Sequence, residues 1–275
     1  MNHAIDFEKL EQDIEALSDA YFTAEPFEHL VIDGFLNLEA INRLRSEELV
    51  FKPSTKEKSS DFVFAKNKME NPKLEIISDT TRRIRDDLTS PRFAKILSEV
   101  VRIQVFVDKS FVGGGLHQGG PNSFLDMHAD FTRHPVERSW IRELNILIYL
   151  NCDYKHTWGG ALDLEHADTG QKASIAPIEN RAVIMLTKPH TLHGYRKLNF
   201  PPDRFRTSIA AYAYSFDNGG RLAPYSTTTW RPRSPIKRAF AKAFGPMVAL
   251  KQSILGSRTA KRASRPKGLD KADAD

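Results

Sequence analysis

Two segments of the 275-residue sequence place a histidine two positions before an aspartate: His128-Ala129-Asp130 and His166-Ala167-Asp168. Side chains two apart on a strand point the same way, so such a pair can aim an imidazole and a carboxylate at one point. A second histidine from a distant strand would complete a two-histidine, one-carboxylate set, which leaves three positions open on Fe(II). With nine His and 35 acids in the chain, chance supplies about one such pair, so spacing must choose between the two. The best third ligand is His193, in KPHTLHGY (188–195), while His190 belongs to the connecting loop before it. Only 24 residues separate Asp168 from His193, too few for the several strands a barrel puts between its ligands. Sixty-two residues and four candidate strands separate Asp130 from His193. The metal ligands are therefore His128, Asp130 and His193, and the second pair reads as a surface turn. Thirteen residues past His193, Arg206 opens RTSIAAYAY, whose alternate residues are Arg206, Ser208, Ala210 and Tyr212. An arginine among small inward residues is costly unless an anion pairs with it, and a guanidinium grips a carboxylate through two parallel hydrogen bonds.

The elements that must position these residues are short strands. Candidates are Ile103–Phe111, Phe124–Phe131, Leu144–Leu150, Ala161–Glu165, Lys172–Ile175, Arg181–Leu186, Thr191–Tyr195 and Thr207–Ser215, separated by Gly, Pro, Asn and Asp turns. Such regular spacing predicts an all-β sandwich or jelly roll. Ahead of them the pattern predicts a helix over Phe7–Leu17, a strand over Phe27–Leu36 and a helix over Leu36–Leu49 with Asn37 as its N-cap. A polar loop (Lys52–Asn71) follows, then helices Pro72–Leu88 and Pro91–Val101, each with a proline near its start. The glycines at 113–115 and 119–120 lack the helix and the Lys-Ser/Thr of a phosphate loop. They read as a flexible loop near the site entrance, with His117 and Gln118 as possible substrate contacts. One domain is expected over 1–230, with a helical cover at 1–101 and a β core at 103–216, followed by a basic helical tail at 231–275. Gly245-Pro246 should break the tail helix Pro235–Leu255.

Forty per cent hydrophobic and 27% charged residues fit a globular chain and exclude a fibrous or disordered one. The single cysteine, Cys152, excludes an internal disulfide framework and Cys-rich metal clusters. No apolar run approaches the roughly 18 residues that span a bilayer, and the acidic opening is no signal peptide, so a cytoplasmic protein is expected. The net charge of +5 hides an asymmetry: residues 231–275 hold 12 Lys/Arg against 3 acids, and the rest holds 28 against 32. A mildly acidic body makes nucleic acid an unexpected partner. The basic amphipathic tail suits peripheral contact with an anionic membrane instead.

The ordered set His128-x-Asp130, LNILIYLN (144–151), WGGALDL (158–164), HTLHGY (190–195) and FRTSIAAYAYS (205–215) resembles the iron(II)/2-oxoglutarate-dependent dioxygenases, in their prolyl 4-hydroxylase-like branch. The likeness runs over residues 27–216, beginning at FEHLVIDGFL. It implies a mainly β fold with an α cover, a double-stranded β-helix (jelly roll) preceded by N-terminal helices. It implies Fe(II) on His128, Asp130 and His193, with 2-oxoglutarate and O2 as cosubstrates and ascorbate or another reductant in support. The 5-carboxylate of 2-oxoglutarate would meet Arg206 and Tyr149, and Arg142 would face the substrate entrance. Arg204 competes with Arg206, because the gap from His193 is longer than the branch usually shows; the register of the following Ser-Ile-Ala-Ala-Tyr favours Arg206. The implied activity is hydroxylation of an unactivated C–H on an amino-acid, peptidyl or glycan-type substrate. Asp130 argues against halogenation, since related halogenases lack that carboxylate. Alternatives are a nucleic-acid or other demethylase of the same superfamily, and a non-catalytic jelly roll that keeps a metal.

Overall fold

The computed structural model describes residues 3–47, 49, 63–217, 219 and 227–242. In chain order its elements are α1 (Phe7–Gln12), α2 (Ile14–Thr23), β1 (His29–Asp33), α3 (Leu38–Ser46), β2 (Ala65–Asn71), α4 (Leu74–Ile77), α5 (Asp79–Leu88) and α6 (Pro91–Val101). Then follow β3 (Phe106–Val107), β4 (Gly115–Ala129), β5 (Trp140–Tyr149), β6 (Leu162–His166), β7 (Lys172–Ile175), β8 (Arg181–Leu186), β9 (Thr191–Tyr195), β10 (Arg206–Phe216) and β11 (Thr229–Trp230).

Local chemistry sets the helix starts. The Asn37 side chain accepts the Ala40 N–H and begins α3. Ser90 caps α6, with Pro91 in its first turn, where a missing N–H costs nothing. Two helices predicted as continuous are divided. Asp13, at φ −103° and ψ 10°, separates α1 from α2. Ser78 leaves helical geometry and forms a reciprocal cap with Thr81 at the head of α5.

The strands pair antiparallel in the order β1-β8-β5-β10-β4-β9-β6-β7, with β2 and β11 also on β4 and β3 on β10. This is a curled, mainly antiparallel jelly roll. Its hinge is β4: residues 115–119 pair with β10, while Leu125 and His128 pair with β9. Alternation then sorts the side chains. On β5 and β10, Ile146, Ile148, Ile209, Ala211 and Ala213 face the helices and join Ile41, Leu44, Ile84, Leu88, Phe93 and Leu97 in the main core. The opposite face turns Asn145, Leu147, Arg206, Ser208, Ala210 and Tyr212 into the barrel.

Three expectations need correction. Ile103–Phe111 shortens to the two residues of β3. The predicted polar loop contains β2, paired with β4 from Ala65↔Leu125 to Asn71↔Leu116. The glycine-rich stretch before Phe124 is the first half of β4 rather than a flexible loop. It is strand because backbone crowds it: a Cβ on Gly115 would sit 2.2 Å from the Asn71 carbonyl oxygen. Residues 235–242 are helical as predicted; Gly245-Pro246 and the apolar residues to Ile254 lie outside the described residues.

Candidate metal centre and its pocket

His128 and His193 lie opposite each other on β4 and β9, and Asp130 follows directly on the end of β4. The strand pairing alone therefore makes the three side chains converge. The Asp130 Oδ1 is 3.6 Å from His128 Nε2 and its Oδ2 is 3.5 Å from His193 Nε2. One ligand atom from each of the three lies within 4.8 Å of the others, the arrangement a single ion needs. His128 Nδ1 donates to the Asp126 carbonyl at 2.9 Å, which leaves the Nε2 lone pair turned toward the site. Burial pushes both imidazoles toward the neutral form, His193 down to about 3. For Asp130, burial acts upward but is outweighed by Arg142, the two histidines and the Asn145 hydrogen bond, which hold the carboxyl below the usual range. Two neutral imidazoles and one carboxylate are the protonation states in which a metal is bound. The donor set thus fits Fe(II) with open positions.

Around these three, the support is dense. Arg142 Nη2 and Asn145 Nδ2 both donate to Asp130 Oδ2, at 2.9 and 2.8 Å. Arg142 Nε in turn donates to Asn145 Oδ1 at 2.8 Å. The guanidinium is capped by the Tyr212 ring at 3.5 Å and the Phe131 ring at 4.7 Å. Arg142, expected at the substrate entrance, is instead 1% exposed and sealed behind Asp130. Its strand continues inward, and burial of so large a cation is tolerable only because Asp130 pairs with it. On the other side, Trp230 stacks on His128 with centroids 4.8 Å apart, and on Phe64 at 4.9 Å.

From the three ligands a pocket runs between the sheets over Leu147, Leu162 and Met185 to Arg206. Arg206 is buried there; its Nε donates to the Gly160 carbonyl at 2.6 Å and its Nη2 to Tyr149 Oη at 3.0 Å. Its guanidinium lies 4.4 Å from the Tyr195 ring centroid. Gly160, at φ +81°, admits this approach, since a Cβ would meet Leu198 at 2.8 Å and Arg206 Cδ at 3.1 Å. Arg204 is exposed on the preceding turn and does not line the pocket. His117 and Gln118 do line it, from strand rather than loop, and both are buried. Gln118 Nε2 donates to the Leu49 carbonyl and to Thr207 Oγ1. The second His-x-Asp pair forms the β6–β7 turn: His166 Nδ1 accepts from the N–H groups of Asp168 and Thr169, and its ring stacks on His190.

Sequence reasoning missed Asn145, Gly160, Tyr195, Trp230 and Lys68. Asn145 carried a signal, since it shares the inward period of two with Tyr149. Lys68 carried none, because its strand was read as loop.

Residues 114–214 match the family model described as the 2OG-Fe(II) oxygenase superfamily, a stretch that spans His117, the three candidate ligands, Tyr149 and Arg206. No curated protein sequence matches the chain. Among solved structures, a prolyl-4-hydroxylase of Pseudomonas putida superposes with a TM-score of 0.50, at 14% identity over 75% of this chain and 100% of that one. An oxidoreductase of the 2OG-Fe(II) oxygenase family from Burkholderia pseudomallei gives 0.49, at 16% identity over 76% and 93%. A prolyl hydroxylase of Trichoplax adhaerens, in complex with a hypoxia inducible factor oxygen degradation domain peptide fragment, gives 0.47, at 14% over 76% and 91%. At 14% identity the likeness to the Pseudomonas putida protein is one of fold.

Proposed function

We propose that this 2-oxoglutarate-dependent dioxygenase holds Fe(II) on His128, Asp130 and His193, and hydroxylates an unactivated C–H of an amino-acid, peptidyl or glycan-type substrate. The enzyme class and its cofactors, Fe(II) and 2-oxoglutarate, come from the family match and the His-Asp-His group. The observation that carries the rest is one pocket with two unlike ends. At one end sit two neutral imidazoles and a carboxylate; at the other a buried guanidinium shares a hydrogen bond with a phenol. 2-Oxoglutarate is also two-ended, with a keto acid that chelates a metal and a distal carboxylate that asks for a cation. When bound, Fe(II) with 2-oxoglutarate and O2 supplies the oxidising power, and succinate and CO2 leave.

The chain's own residues orient and enclose. Arg206 takes the distal carboxylate through charge-assisted hydrogen bonds, and Tyr149, whose hydroxyl already accepts from Arg206, directs its own O–H to the same carboxylate. Gly160 fixes the guanidinium's plane. Leu147, Leu162 and Met185 give the reaction a dry floor. Arg142 and Asn145 occupy one oxygen of Asp130, so its coordinating geometry is set before any ligand arrives.

The test is succinate formation from 2-oxoglutarate with Fe(II) and ascorbate. A slow rate without any other substrate is expected, abolished by chelator and by N-oxalylglycine. Absence of succinate in the iron-loaded protein under every substrate mixture would instead favour a metal-containing binding protein.

A further inference from the structure

One nitrogen in the pocket has no partner among the described residues. His117 is 7% exposed, lines the cavity from β4, and its Nε2 makes no hydrogen bond. Burial, with the Lys68 charge beside it, holds the ring neutral, down to about 4. With its lone pair turned to the pocket, Nε2 is a buried acceptor that needs a donor. 2-Oxoglutarate cannot supply one, because as a dianion all of its oxygens are acceptors.

The neighbouring strand adds a cation that the cosubstrate does not need. Glu70 lies opposite His117 and Lys68 opposite Gly119, so all four share one face of the β2–β4 pair. A Cβ on Gly119 would come within 2.9 Å of Ser123 Oγ and 3.2 Å of Tyr195 Oη, so the position opposite Lys68 takes no side chain. Lys68 lines the pocket with its side chain 25% exposed, and pairs with Glu70 at 2.8 Å. An ammonium has three donors, and that pair does not exhaust them. The two carboxylates of 2-oxoglutarate are met by the metal and by Arg206, which leaves Lys68 surplus.

We propose that Lys68, Glu70 and His117 form the prime-substrate subsite, and that the substrate is a small free amino acid whose carboxylate meets Lys68 and whose ammonium donates to His117 Nε2 beside Glu70. This rests on the oxygenase reading above and narrows its substrate class to a zwitterion. A prolyl residue within a peptide offers neither charge, and a neutral sugar offers donors but nothing for Lys68.

The experiment uses the Fe(II)-loaded full-length protein, succinate release as readout, and the twenty L-amino acids singly, each with its methyl ester and, where one exists, its α-hydroxy acid. At least one amino acid should accelerate 2-oxoglutarate turnover tenfold or more, and its methyl ester should not. Lys68→Met and His117→Phe should each raise the half-saturating amino-acid concentration at least tenfold, while the KM for 2-oxoglutarate moves less than threefold. Calorimetric titration of the same amino acid into wild type loaded with Ni(II) and N-oxalylglycine should show binding, which keeps the test independent of either variant's folding. Stimulation by no amino acid, or undiminished stimulation in both variants, overturns the subsite. So does a KM for 2-oxoglutarate raised more than the amino-acid constant. Wild type that makes no succinate overturns the oxygenase reading instead.

Discussion

At the residue scale, the metal assignment turns on which of two identical spacings folds inward. His128 and Asp130 end a strand that crosses the barrel, whereas His166 and Asp168 close a turn. Substituting Ala for His128, Asp130 or His193 should abolish turnover and stoichiometric Fe(II) binding, read by equilibrium dialysis. His166→Ala should leave both intact; iron lost there but kept in the His128 variant would reverse the assignment. Arg206 and Arg204 separate in the same way. A hydrogen bond to a charged group contributes about 1.5–3 kcal/mol and a neutral one about 1. Arg206→Ala should therefore raise the 2-oxoglutarate KM by about 10- to 150-fold, against about fivefold for Tyr149→Phe. Arg204 is exposed, so Arg204→Ala should change the KM less than twofold. A kinetic titration with the two arginine variants exchanged would move the role to Arg204. Types and spacing made this much of the site legible. What they hid was support by residues with no chemistry of their own: the Gly160 carbonyl that aims Arg206, and the Asn145 amide that shares Asp130 with Arg142.

At the element scale, strands of β-formers bounded by turn residues were legible, and β7, β8 and β9 fall where the pattern predicts. β2 was not, because AKNKMEN has neither alternation nor β-branched residues; its pairing with β4 makes it a strand. β4 was cut short because its glycines and Pro121 read as turn, whereas crowding by Asn71, Ser123 and Tyr195 is what excludes side chains there. Loops beside the site depend on buried polar anchors that periodicity cannot show. Asp108 accepts the N–H groups of Ser110 and Val112, the Ser110 hydroxyl, and His134 Nε2 at 3.3 Å. Burial acts to raise its pKa, but His134 and the other donors win and hold it down to about 2. A carboxyl depressed in the folded state stabilises fully above its unfolded value of about 3.9 and loses that contribution as pH falls toward 2. Asp108→Asn should cost about 2 kcal/mol at pH 7. In urea titrations its deficit against wild type should shrink as the pH is lowered from 4 to 2.5; a deficit constant over that interval would remove the charge from the account.

At the scale of the whole molecule, the positive excess is set against an acidic body, and part of it is spent on that body. Within 227–242, β11 pairs with β4, Arg233 bonds to Asp163, and Lys237 Nζ lies 2.8 Å from Asp126 Oδ2. Phe240 packs on Phe64, which itself stacks on Trp230 and so backs His128. This stretch is docked, and two of its basic charges, Arg233 and Lys237, have acidic partners. Residues 243–275 carry seven further Lys/Arg against three acids, and on the helix before them Ile236 is 84% exposed. No helix among the described residues is long and apolar enough to cross a membrane. An anionic surface gains about 1 kcal/mol per basic residue held near it, and that gain fades as salt shortens the screening length. Attachment should thus reside past Lys242, while docking resides before it. In co-sedimentation, full-length protein should bind phosphatidylserine vesicles at low salt and release at 0.5 M NaCl, and should ignore neutral phosphatidylcholine. A chain ending at Lys242 should bind neither and melt with the full-length protein. A chain ending at Thr227 should also melt lower and bind Fe(II) more weakly, because Trp230 no longer backs His128; aromatic contacts of this kind contribute about 0.5–1.5 kcal/mol beyond burial. Equal absence of vesicle binding by full-length protein and the Lys242 truncation would leave the tail with docking alone.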